Sequence, residues 1–567
     1  MRRAPTFRHQ KLTKNQPPVI LSEAKDLRSF PWFEVLRTTA EILRFAQDDT
    51  LRISSQSLRV WSGAVVPNFG MSAARPRNHT DSAILAVGRK FMDLTMPVSD
   101  NSMPRPHLVS ARKRLFMASL LLAFLFPRLT WEQAAGCALL LILFNTLILP
   151  WLEIDVSKQS PPAHIVDKTG GLILYPTSVL VLVLLYPHHL HVAAAAWALV
   201  ALGDGMATVA GEAVNLPITG GRQAAVWRRQ LAAALPWNRS KTWAGFLGFV
   251  AAGTIGAYIL TRWIASAIAP GWALIVCAAA ALLCAVLESL PLALDDNITV
   301  PLVGGAFLFC AFLMQRSALD SNLPYLRRRI GVAIAVNLAF AILAYALKAA
   351  SGSGAICGFW LGTAIYLGYG YKSFILLFAF IVLGSVATRL GLAKKIARGV
   401  AERRAGARSW REALANLLAA AFFAILVVTT HHEAAFLIAL VAALAEAAGD
   451  TFSSEIGQWL SDRAYLLTTL KPVRVGENGG VSVSGTAAGF AASAVIVGLG
   501  LGLGLCGPYR FAGPAIALGA AVAGNLIDSL LGATLERRGL VTNGMVNFAG
   551  TSFAGGMALG LALHLGL

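Results

Sequence analysis

The sequence predicts an all-α, polytopic integral membrane protein, and three observations support this fold class. Apolar residues make up 56% of the chain and only 14% are charged, whereas soluble domains have about 25% charged residues. The apolar runs recur at a spacing of roughly 20 residues, which is the length that crosses a bilayer as a helix. A transmembrane β-barrel would instead show short segments of alternating hydrophobicity, and the sequence does not show them.

The N-terminal residues 1–110 form a polar, basic arm that differs in composition from the rest of the chain. They contain no apolar run long enough to span a bilayer and no signal-peptide pattern. About half of the formal charge of +19 lies in residues 1–116, so the membrane part needs only ordinary basic loops and we expect no nucleic-acid partner. Two interpretations of the arm stay open: a start codon assigned too early, with Met103 or Met117 as the true start, or a disordered basic arm.

The apolar runs that begin at Leu115 predict roughly fifteen helices, some of them re-entrant. We expect them to form two related membrane domains, at 111–320 and 321–567, with a loop at 316–329 between the domains. The expected spans lie near 115–127, 133–150, 171–187, 191–203, 244–268, 272–291, 302–315, 330–349, 354–371, 373–388, 412–430, 433–449, 483–505, 513–533 and 545–565.

Four polar loops predict the orientation, because they are rich in Lys and Arg and the count of spans places all four on one side. Basic loops remain in the cytoplasm. We therefore expect a protein of the inner, or cytoplasmic, membrane whose active sites face the cytoplasm. The triplet at 327–329 disagrees, because the same count places these three arginines on the opposite side. The four loops lie at 203–243, 389–411, 450–482 and 534–544.

Two stretches of the chain share one sequence frame. In each, Gly-Asp follows an apolar run and another Gly stands seven residues after the Asp. A lysine follows in a polar loop, and an acidic residue followed by Ser ends a later apolar run. The repetition indicates two related active sites in one membrane protein. The first frame consists of Gly203, Asp204, Gly211, Lys241, Glu288 and Ser289, and the second of Gly449, Asp450, Gly457, Lys471, Asp528 and Ser529.

Carboxylates at membrane depth are costly and usually mark a functional site. Glu446 and Asp450 are four residues apart and therefore share one face of a helix. Their oxygens suit Mg²⁺, which typically binds one or two carboxylates together with substrate phosphates and neutralises charge as a phosphoryl group moves. The alternative role is helix capping, in which Asp and Ser bind free backbone N–H groups. Because the frame occurs twice, we favour a site.

A Gly-rich loop at 476–485 precedes an apolar run and is expected to open a helix. Free N–H groups in such a loop can hold phosphate, and Lys471 lies nearby in sequence. The loop is not a Walker A sequence. A flexible turn with tight helix packing is the alternative interpretation.

The first half, from about 160 to 316, resembles the phytol kinase and dolichol kinase group, which is related to the phosphatidate cytidylyltransferases. Thr208 and Glu212 depart from that pattern, which often has Asp and Arg there. The segments that carry the resemblance are Gly203 through Ala207 with Gly211, Leu235 through Gly245, Glu288 through Pro291, and Asp295 through Pro301.

The second half, from about 330 to 567, is similar to the membrane family that contains phytyl-phosphate kinase and was long listed as a domain of unknown function. This similarity covers nearly the whole half. The matching segments are Gly449-Asp450-Thr451, Ser454 through Gly457, Thr468 through Val473, Gly476 through Gly480, Asp528 through Thr534, Asn543, and Val546-Asn547-Phe548.

The two resemblances together imply a fused pair of lipid kinases. The first half would phosphorylate a prenyl alcohol, and the second half would phosphorylate the resulting prenyl monophosphate to the diphosphate. The donor would be a nucleoside triphosphate, typically CTP, with Mg²⁺ as cofactor. The partners would be membrane lipids, namely the prenyl alcohol and the prenyl phosphate.

The resemblance also assigns roles to individual residues. Metal binding falls to Asp204, Glu288 and Asp296 in the first half and to Asp450, Glu455 and Asp528 in the second. The residues expected to be catalytic are Asp204, Lys241, Asp450 and Lys471. The expected substrate or phosphate contacts are Asn238, Arg239, Asn297, Ser454, Asn478, Gly479, Gly480, Ser529, Asn543 and Asn547.

Two other function classes fit parts of the sequence. A multi-pass transporter also shows two half-repeats with polar residues at broken helices, although its acidic residues would lie near the middle of the membrane. A cytidylyltransferase that makes a nucleotide-linked lipid would share the metal and triphosphate chemistry. A first half that serves only as a scaffold for the second is a further alternative.

Overall fold

The computed structural model describes residues 119–148, 170–214, 229–291, 293–401, 407–508 and 510–567. The arm at 1–110 lies outside these residues. The described part is mostly helical and contains five short strands. The predicted fold class, an all-α polytopic membrane protein, is confirmed in this mainly helical form.

The described part of the first half begins with a short 3₁₀ helix and contains one β-hairpin. The two strands of the hairpin are antiparallel, with Ala234 opposite Thr242. The helix that carries Asp204 includes a π-helical turn at Leu199–Asp204. The elements are the 3₁₀ helix Leu120–Arg128, α1 (Trp131–Leu143), α2 (Gly170–Leu185), α3 (Leu190–Ala213), β1 (Ala234–Leu235), β2 (Asn238–Thr242), α4 (Trp243–Ile264), α5 (Pro270–Ser289) and α6 (Asp296–Phe312).

The second half contains a small three-stranded sheet in the order β4-β3-β5, antiparallel throughout. Its last but one helix ends in a π-helical turn at Gly532–Glu536. The elements are α7 (Arg316–Ala346), α8 (Gly352–Tyr369), α9 (Tyr371–Arg389), α10 (Leu392–Ala397), α11 (Trp410–Thr429), α12 (Glu433–Leu460), β3 (Ala464–Leu466), β4 (Pro472–Val473), β5 (Gly480–Val481), α13 (Val483–Gly502), α14 (Ala512–Glu536) and α15 (Asn543–His564).

Each half has its own buried apolar core, and the two halves repeat one order of elements. A long helix is followed by short strands and then by three helices. We call α3, β1, β2 and α4 to α6 the first bundle, and α12, β3 to β5 and α13 to α15 the second bundle. The long helix is the most deeply buried part of each bundle, which places its polar residues among neighbouring helices rather than at the outer surface.

The two bundles also share contacts at the start of the helix that follows the strands. Thr242 caps α4 by accepting a hydrogen bond from Gly245 N (3.2 Å), and Ser482 caps α13 by accepting one from Gly485 N (3.2 Å). A Cβ on either glycine would press against a carbonyl oxygen of the long helix, at Ala207 (3.0 Å) or Ser453 (2.5 Å). These carbonyls stand three residues after Asp204 and Asp450. The glycines therefore allow the same close helix approach in both bundles.

The helices run alternately in opposite directions, so the strands and the segments predicted as basic loops meet at one end, which we call the hairpin end. At this end Ser351 N, after α7, donates to the Arg408 carbonyl, before α11 (3.0 Å). At the opposite end Gln315 N donates to the Thr429 carbonyl (2.8 Å). The cytoplasmic orientation of the hairpin end stays a prediction.

The predicted count of fifteen spans is not confirmed. The described residues contain ten helices that are long and apolar enough to cross a membrane and three shorter apolar helices. The expected span at 115–127 corresponds in its described part to the nine-residue 3₁₀ helix, and α6 has 17 residues. With a rise of about 2.0 Å per residue in the 3₁₀ helix and about 1.5 Å in α6, both elements are shorter than a hydrocarbon core of about 30 Å.

The segment 316–329, expected as a loop between the domains, is helical and forms the first part of α7. This helix has 31 residues and is therefore about 46 Å long, longer than the hydrocarbon core. Its polar first part holds the arginine triplet at 327–329, which disagreed with the loop count. A helix can extend polar turns beyond the bilayer, and a count of spans from apolar runs does not detect such an extension.

The predicted loop at 450–482 also begins later than expected, because α12 continues to Leu460. Polar residues from Asp450 onward ended the predicted apolar span, although Ala, Glu, Gln and Leu are good helix formers. Asp450 therefore lies inside a helix, about 26 Å along its axis from Glu433. Asp204 likewise lies inside α3.

Candidate functional site

A cavity of about 320 Å³ lies in the second bundle, between α12, α13 and α14, below the strands. Its wall combines side chains from the Gly-Asp frame, the Gly-rich loop and the acidic-Ser pair, which are far apart in sequence. Eight of the predicted site residues line it: Asp450, Ser454, Asn478, Gly479, Gly480, Asp528, Ser529 and Asn543.

Asp450 faces this cavity because α12 packs closely on its neighbours at the preceding residue. A Cβ at Gly449 would overlap Ser493 of α13 and Asn525 of α14. The Asp450 carboxylate accepts a hydrogen bond from Asn547 Nδ2 (3.3 Å), which also donates to Asn416 Oδ1 (3.3 Å). Asn547 thus contacts the predicted site through Asp450, although it does not line the cavity.

Acceptor atoms without a partner concentrate beside Asp450. Among the described residues, both carboxylate oxygens of Glu446, Oδ2 of Asp528 and Oδ1 of Asn547 are buried and accept no hydrogen bond. Glu446 is only 1% exposed and packs against Gly524 and Gly550, where a Cβ would collide with its side chain. Buried carboxylates are stabilised by a cation or by hydrogen-bond donors. The arrangement therefore suits a cationic or protonated ligand.

The Gly-rich loop forms the roof of the cavity. Gly476 and Gly479 have φ angles of +88° and +71°, a backbone conformation that glycine adopts more readily than other residues. Gly479 also lies directly on the backbone of Ala533 in the π-helical turn of α14. Glu477 accepts a hydrogen bond from Arg474 N (3.2 Å) and pairs with Arg537 (3.5 Å). The loop is thereby fixed over the N-terminus of α13, whose first N–H groups carry partial positive charge.

Two predicted residues of the second site lie elsewhere. Lys471 is exposed in the turn between β3 and β4 and does not line the cavity. Glu455 is 3% exposed and forms an ion pair with Lys395 of α10. Lys395 is itself buried and also donates to the carbonyls of Ala387 (3.2 Å) and Thr388 (2.8 Å). The roles predicted for Lys471 and Glu455 remain predictions.

The first bundle brings several predicted residues together at the hairpin end. Lys241 of β2 forms an ion pair with Glu288, which is 5% exposed. Asn238 Nδ2 donates to the Ser289 carbonyl (3.0 Å), and Trp237 Nε1 donates to Ser289 Oγ (3.0 Å). The hairpin is therefore held against the last turn of α5.

The charge of Lys241 is stabilised by several acids. Burial alone would lower its pKa, but the hydrogen bond and charge of Glu288, with the charges of Asp296 and Asp204, raise the pKa above its ordinary value. Asn297 donates from its backbone (2.9 Å) and its side chain (2.7 Å) to Asp295, which caps α6. Arg239 is exposed on the hairpin.

Neither bundle presents a complete set of protein ligands for a metal. Among the described residues, no three His, Cys, Asp or Glu side chains are grouped so that they could hold one ion. The three-carboxylate sets predicted for each half are therefore not assembled by the protein alone. Fewer carboxylates suffice for Mg²⁺ when substrate phosphates complete its coordination.

Sequence reasoning missed three residues in or near the second site, namely Lys395, Asn525 and Glu536. Lys395 is 60 residues from its partner, and no local pattern connects them. Glu536 and Asn525 also line the cavity. Asn525 precedes the acidic-Ser pair Asp528-Ser529 at helical spacing, and Glu536 follows it at helical spacing. Glu446 was placed on the face of Asp450 by its i, i+4 spacing, but only the packing shows that its oxygens have no partner among the described residues.

The fold and the cavity define a polytopic helical membrane protein with an acidic, oxygen-lined site in its second bundle. The family described as integral membrane protein DUF92 matches residues 335–559, which include every residue of the cavity. An uncharacterised membrane protein of Methanocaldococcus jannaschii, MJ0933, is 35% identical over 230 residues, which are 40% of this chain and 92% of that protein. The chain belongs to this family of integral membrane proteins.

Two further relatives come from Synechocystis and Arabidopsis thaliana. An uncharacterised membrane protein of Synechocystis, sll0875, is 34% identical over 204 residues, which are 35% of this chain and 78% of that protein. Protein VTE6, chloroplastic, of Arabidopsis thaliana is 33% identical over 210 residues, which are 36% of this chain and 62% of that protein. No solved structure matches the chain.

Proposed function

We propose that the second bundle transfers a phosphoryl group from a nucleoside triphosphate, typically CTP, to a prenyl monophosphate. The observation that carries this proposal is the cavity, in which Asp450 and Asp528, the latter with one oxygen that has no partner among the described residues, lie beside a Gly-rich loop and a helix N-terminus. The motif resemblance to the family that contains phytyl-phosphate kinase supports it. The similarity to VTE6, a chloroplast protein, is consistent with a prenyl-lipid substrate.

Mg²⁺ fits the residues of this cavity. Asp450 and Asp528 face it from α12 and α14, and one oxygen of Asp528 has no partner among the described residues. These two carboxylates would hold the ion together with nucleotide phosphates. When bound, Mg²⁺ would neutralise negative charge on the transferred group.

The protein side of the reaction is mainly positioning and charge stabilisation. The N-terminus of α13 and the backbone of residues 478–480 would bind nucleotide phosphates through N–H groups. An ionised oxygen of the lipid phosphate forms a new bond to the γ-phosphorus as the bond from that phosphorus to the β,γ-bridging oxygen breaks. A nucleoside diphosphate leaves, and no proton has to be removed from the attacking group.

For the first bundle we propose phosphorylation of the prenyl alcohol that supplies this monophosphate. Lys241, which is paired with Glu288, adjoins Asp204 and Asp296 electrostatically. We propose that Lys241 is the cation for phosphate and that Asp204 and Asp296 are the carboxylates for Mg²⁺. The motif resemblance to phytol and dolichol kinases supports the assignment. The alcohol must lose its proton on attack, and Asp204 is the carboxylate that we propose to accept it.

A second candidate function, transport, is favoured by one observation. Glu446 lies about 20 Å along α12 and is buried without a hydrogen-bond partner among the described residues, and transporters carry such acids near the middle of the membrane. Uptake of a labelled solute into vesicles without any phosphorylated lipid would favour this candidate over a kinase.

The test uses membranes that contain the protein, Mg²⁺, labelled CTP or ATP, and either phytol or geranylgeraniol. The parent should form the lipid diphosphate, Asp204→Asn should form no product from the alcohol, and Asp450→Asn should stop at the monophosphate. Absence of any phosphorylated lipid with either donor would contradict both kinase assignments. A nucleotide-linked lipid as product would instead identify a cytidylyltransferase.

A further inference from the structure

The wall of the second cavity changes from polar to apolar toward the seam between α13 and α14. On the α12 side it includes Asp450, Ser453 and Ser454, whereas at the seam it includes Phe490 of α13 and Leu526 of α14. Both seam residues are about half exposed, 53% for Phe490 and 50% for Leu526. Side chains that border the cavity therefore also border the outer surface of the bundle.

The depth of the seam identifies what lies outside it. Phe490 is eight residues beyond the cap of α13, about 12 Å along the axis, and Leu526 is ten residues before the end of α14, about 15 Å along the axis. At this depth a bilayer-spanning helix faces hydrocarbon rather than water. Large apolar side chains are stable there when they face lipid.

The other interfaces of α12 and α14 around the cavity are closed by glycine contacts. Gly485 and Gly489 bring α13 onto the backbone of α12, where a Cβ at Gly489 would lie 2.8 Å from the Gly449 carbonyl oxygen. Gly524 brings α14 close to α15, where a Cβ would lie 2.9 Å from the Gly550 carbonyl oxygen. The seam between α13 and α14 is therefore the side of the cavity that combines exposure with apolar walls.

We propose that this seam is the lateral entrance for the lipid substrate, and that the hydrocarbon chain lies between Phe490 and Leu526 while the anionic head occupies the cavity. The occupant is an amphiphile because one continuous cavity has carboxylates, a Gly-rich loop and a helix N-terminus at one end and exposed apolar side chains at membrane depth at the other. The assignment of the hydrocarbon chain of the lipid as a prenyl chain rests on the proposed function. The entrance itself requires only a phosphate head and an apolar tail.

The kinetic test narrows the seam with Leu526→Trp and compares two monophosphates that differ in chain length. For geranylgeranyl monophosphate the KM should rise about tenfold, with little change in kcat. The KM for dimethylallyl monophosphate and for the nucleotide should stay unchanged, because the short chain does not reach the seam.

The matched control is Val495→Trp. Val495 is 54% exposed on α13, the helix that also carries Phe490, but it does not line the cavity. A tryptophan at this position should therefore leave the KM values of the long-chain and the short-chain substrate unchanged. The proposed entrance would be overturned if Leu526→Trp raised the KM equally for the long-chain and the short-chain substrate. It would also be overturned if Val495→Trp raised the KM for the long-chain substrate as much as Leu526→Trp does.

A second measurement does not depend on kinase activity. A long-chain alkyl phosphate with a diazirine in the chain is photolysed in vesicles that contain the parent protein, and labelled peptides are mapped by mass spectrometry. Labelling at Phe490 and Leu526 that unlabelled alkyl phosphate competes away supports the entrance, even if no lipid is phosphorylated and the kinase proposal fails. Labelling spread evenly over lipid-facing residues, Val495 included, and insensitive to competition would overturn it.

Discussion

The first and second bundles place an acidic residue before a serine at matching points but neutralise it differently. In the first bundle, Glu288 is paired with Lys241 of the hairpin. In the second bundle, Asp528 forms no ion pair among the described residues, and one of its oxygens is buried without a partner. The same helical frame therefore carries its own cation in the first bundle, whereas in the second bundle it leaves a buried acidic oxygen without a partner among the described residues.

The largest expected effect separates the two bundles by their chemistry. Asp450→Asn should lower diphosphate formation by about 10³-fold, because it removes charge beside the transferred group, and should leave phosphorylation of the alcohol intact. Chromatography of labelled lipid products measures both steps. The control is Asp462→Asn, since Asp462 is exposed and pairs with Arg398 outside the cavity. Continued diphosphate formation by Asp450→Asn would contradict the role of Asp450.

The two lysine pairs should differ in their contribution to stability. Lys395→Met leaves the buried Glu455 without its cation and should destabilise the protein by about 3 kcal/mol. Lys241→Met should cost only about 1 kcal/mol, because Lys241 is about a third exposed and solvent screens its pair. Thermal unfolding in detergent measures both.

The double variant Lys395→Met with Glu455→Leu sharpens this comparison, because removal of both charges should restore most of the lost stability. If the double variant regains stability but also keeps full diphosphate synthesis, Glu455 is not a metal ligand. If it regains stability and loses synthesis, the prediction that Glu455 binds metal gains support.

A substitution in the Gly-rich loop should have a smaller effect, and this effect should be confined to the reaction of the second bundle. Gly479→Ala adds a Cβ at a φ of +71° and against Ala533, which should displace the loop, cost about 2 kcal/mol and raise the KM for nucleotide in the second step alone. Gly498→Ala is the control, since its Cβ would meet nothing within 4 Å. An equal rise in the nucleotide KM of the first step would show that the loop serves both bundles.

The smallest expected effect concerns metal addition. Mg²⁺ should raise the unfolding temperature of the parent by roughly 2 °C through binding to the folded state. Asp528→Asn should remove most of this shift, whereas Glu288→Gln should keep it, because Glu288 is already paired with Lys241. If Glu288→Gln removed the shift in unfolding temperature and Asp528→Asn kept it, the first bundle rather than the second would be the one that binds Mg²⁺ through this acidic residue.

The fold class could be predicted from the sequence, and so could the residues of the Gly-Asp frame that line the cavity of the second bundle, because apolar length and repeated Gly-Asp frames are local patterns. The partner of Glu455 could not, since the pair with Lys395 depends on how α10 packs against α12. The exposed position of Lys471 was also hidden, because proximity in sequence to the Gly-rich loop does not fix which way a turn presents its side chain. The helical part of α12 beyond Asp450 was missed because its polar residues ended the apolar pattern without ending the helix.

The π-helical turns at Leu199–Asp204 and Gly532–Glu536 have a consequence for how these sequences tolerate change. A π-helical turn contains an additional residue compared with an α-helical turn, so deletion of one residue within it can restore regular helix. The later side chains on that helix would then keep their direction, because about four α-helical residues turn the chain as far as about five π-helical residues. A single-residue deletion in a regular α-helical part of α3 or α14 would instead rotate the later side chains by about 100°. Deletions within the π-helical turns should therefore be less harmful than deletions elsewhere in these helices.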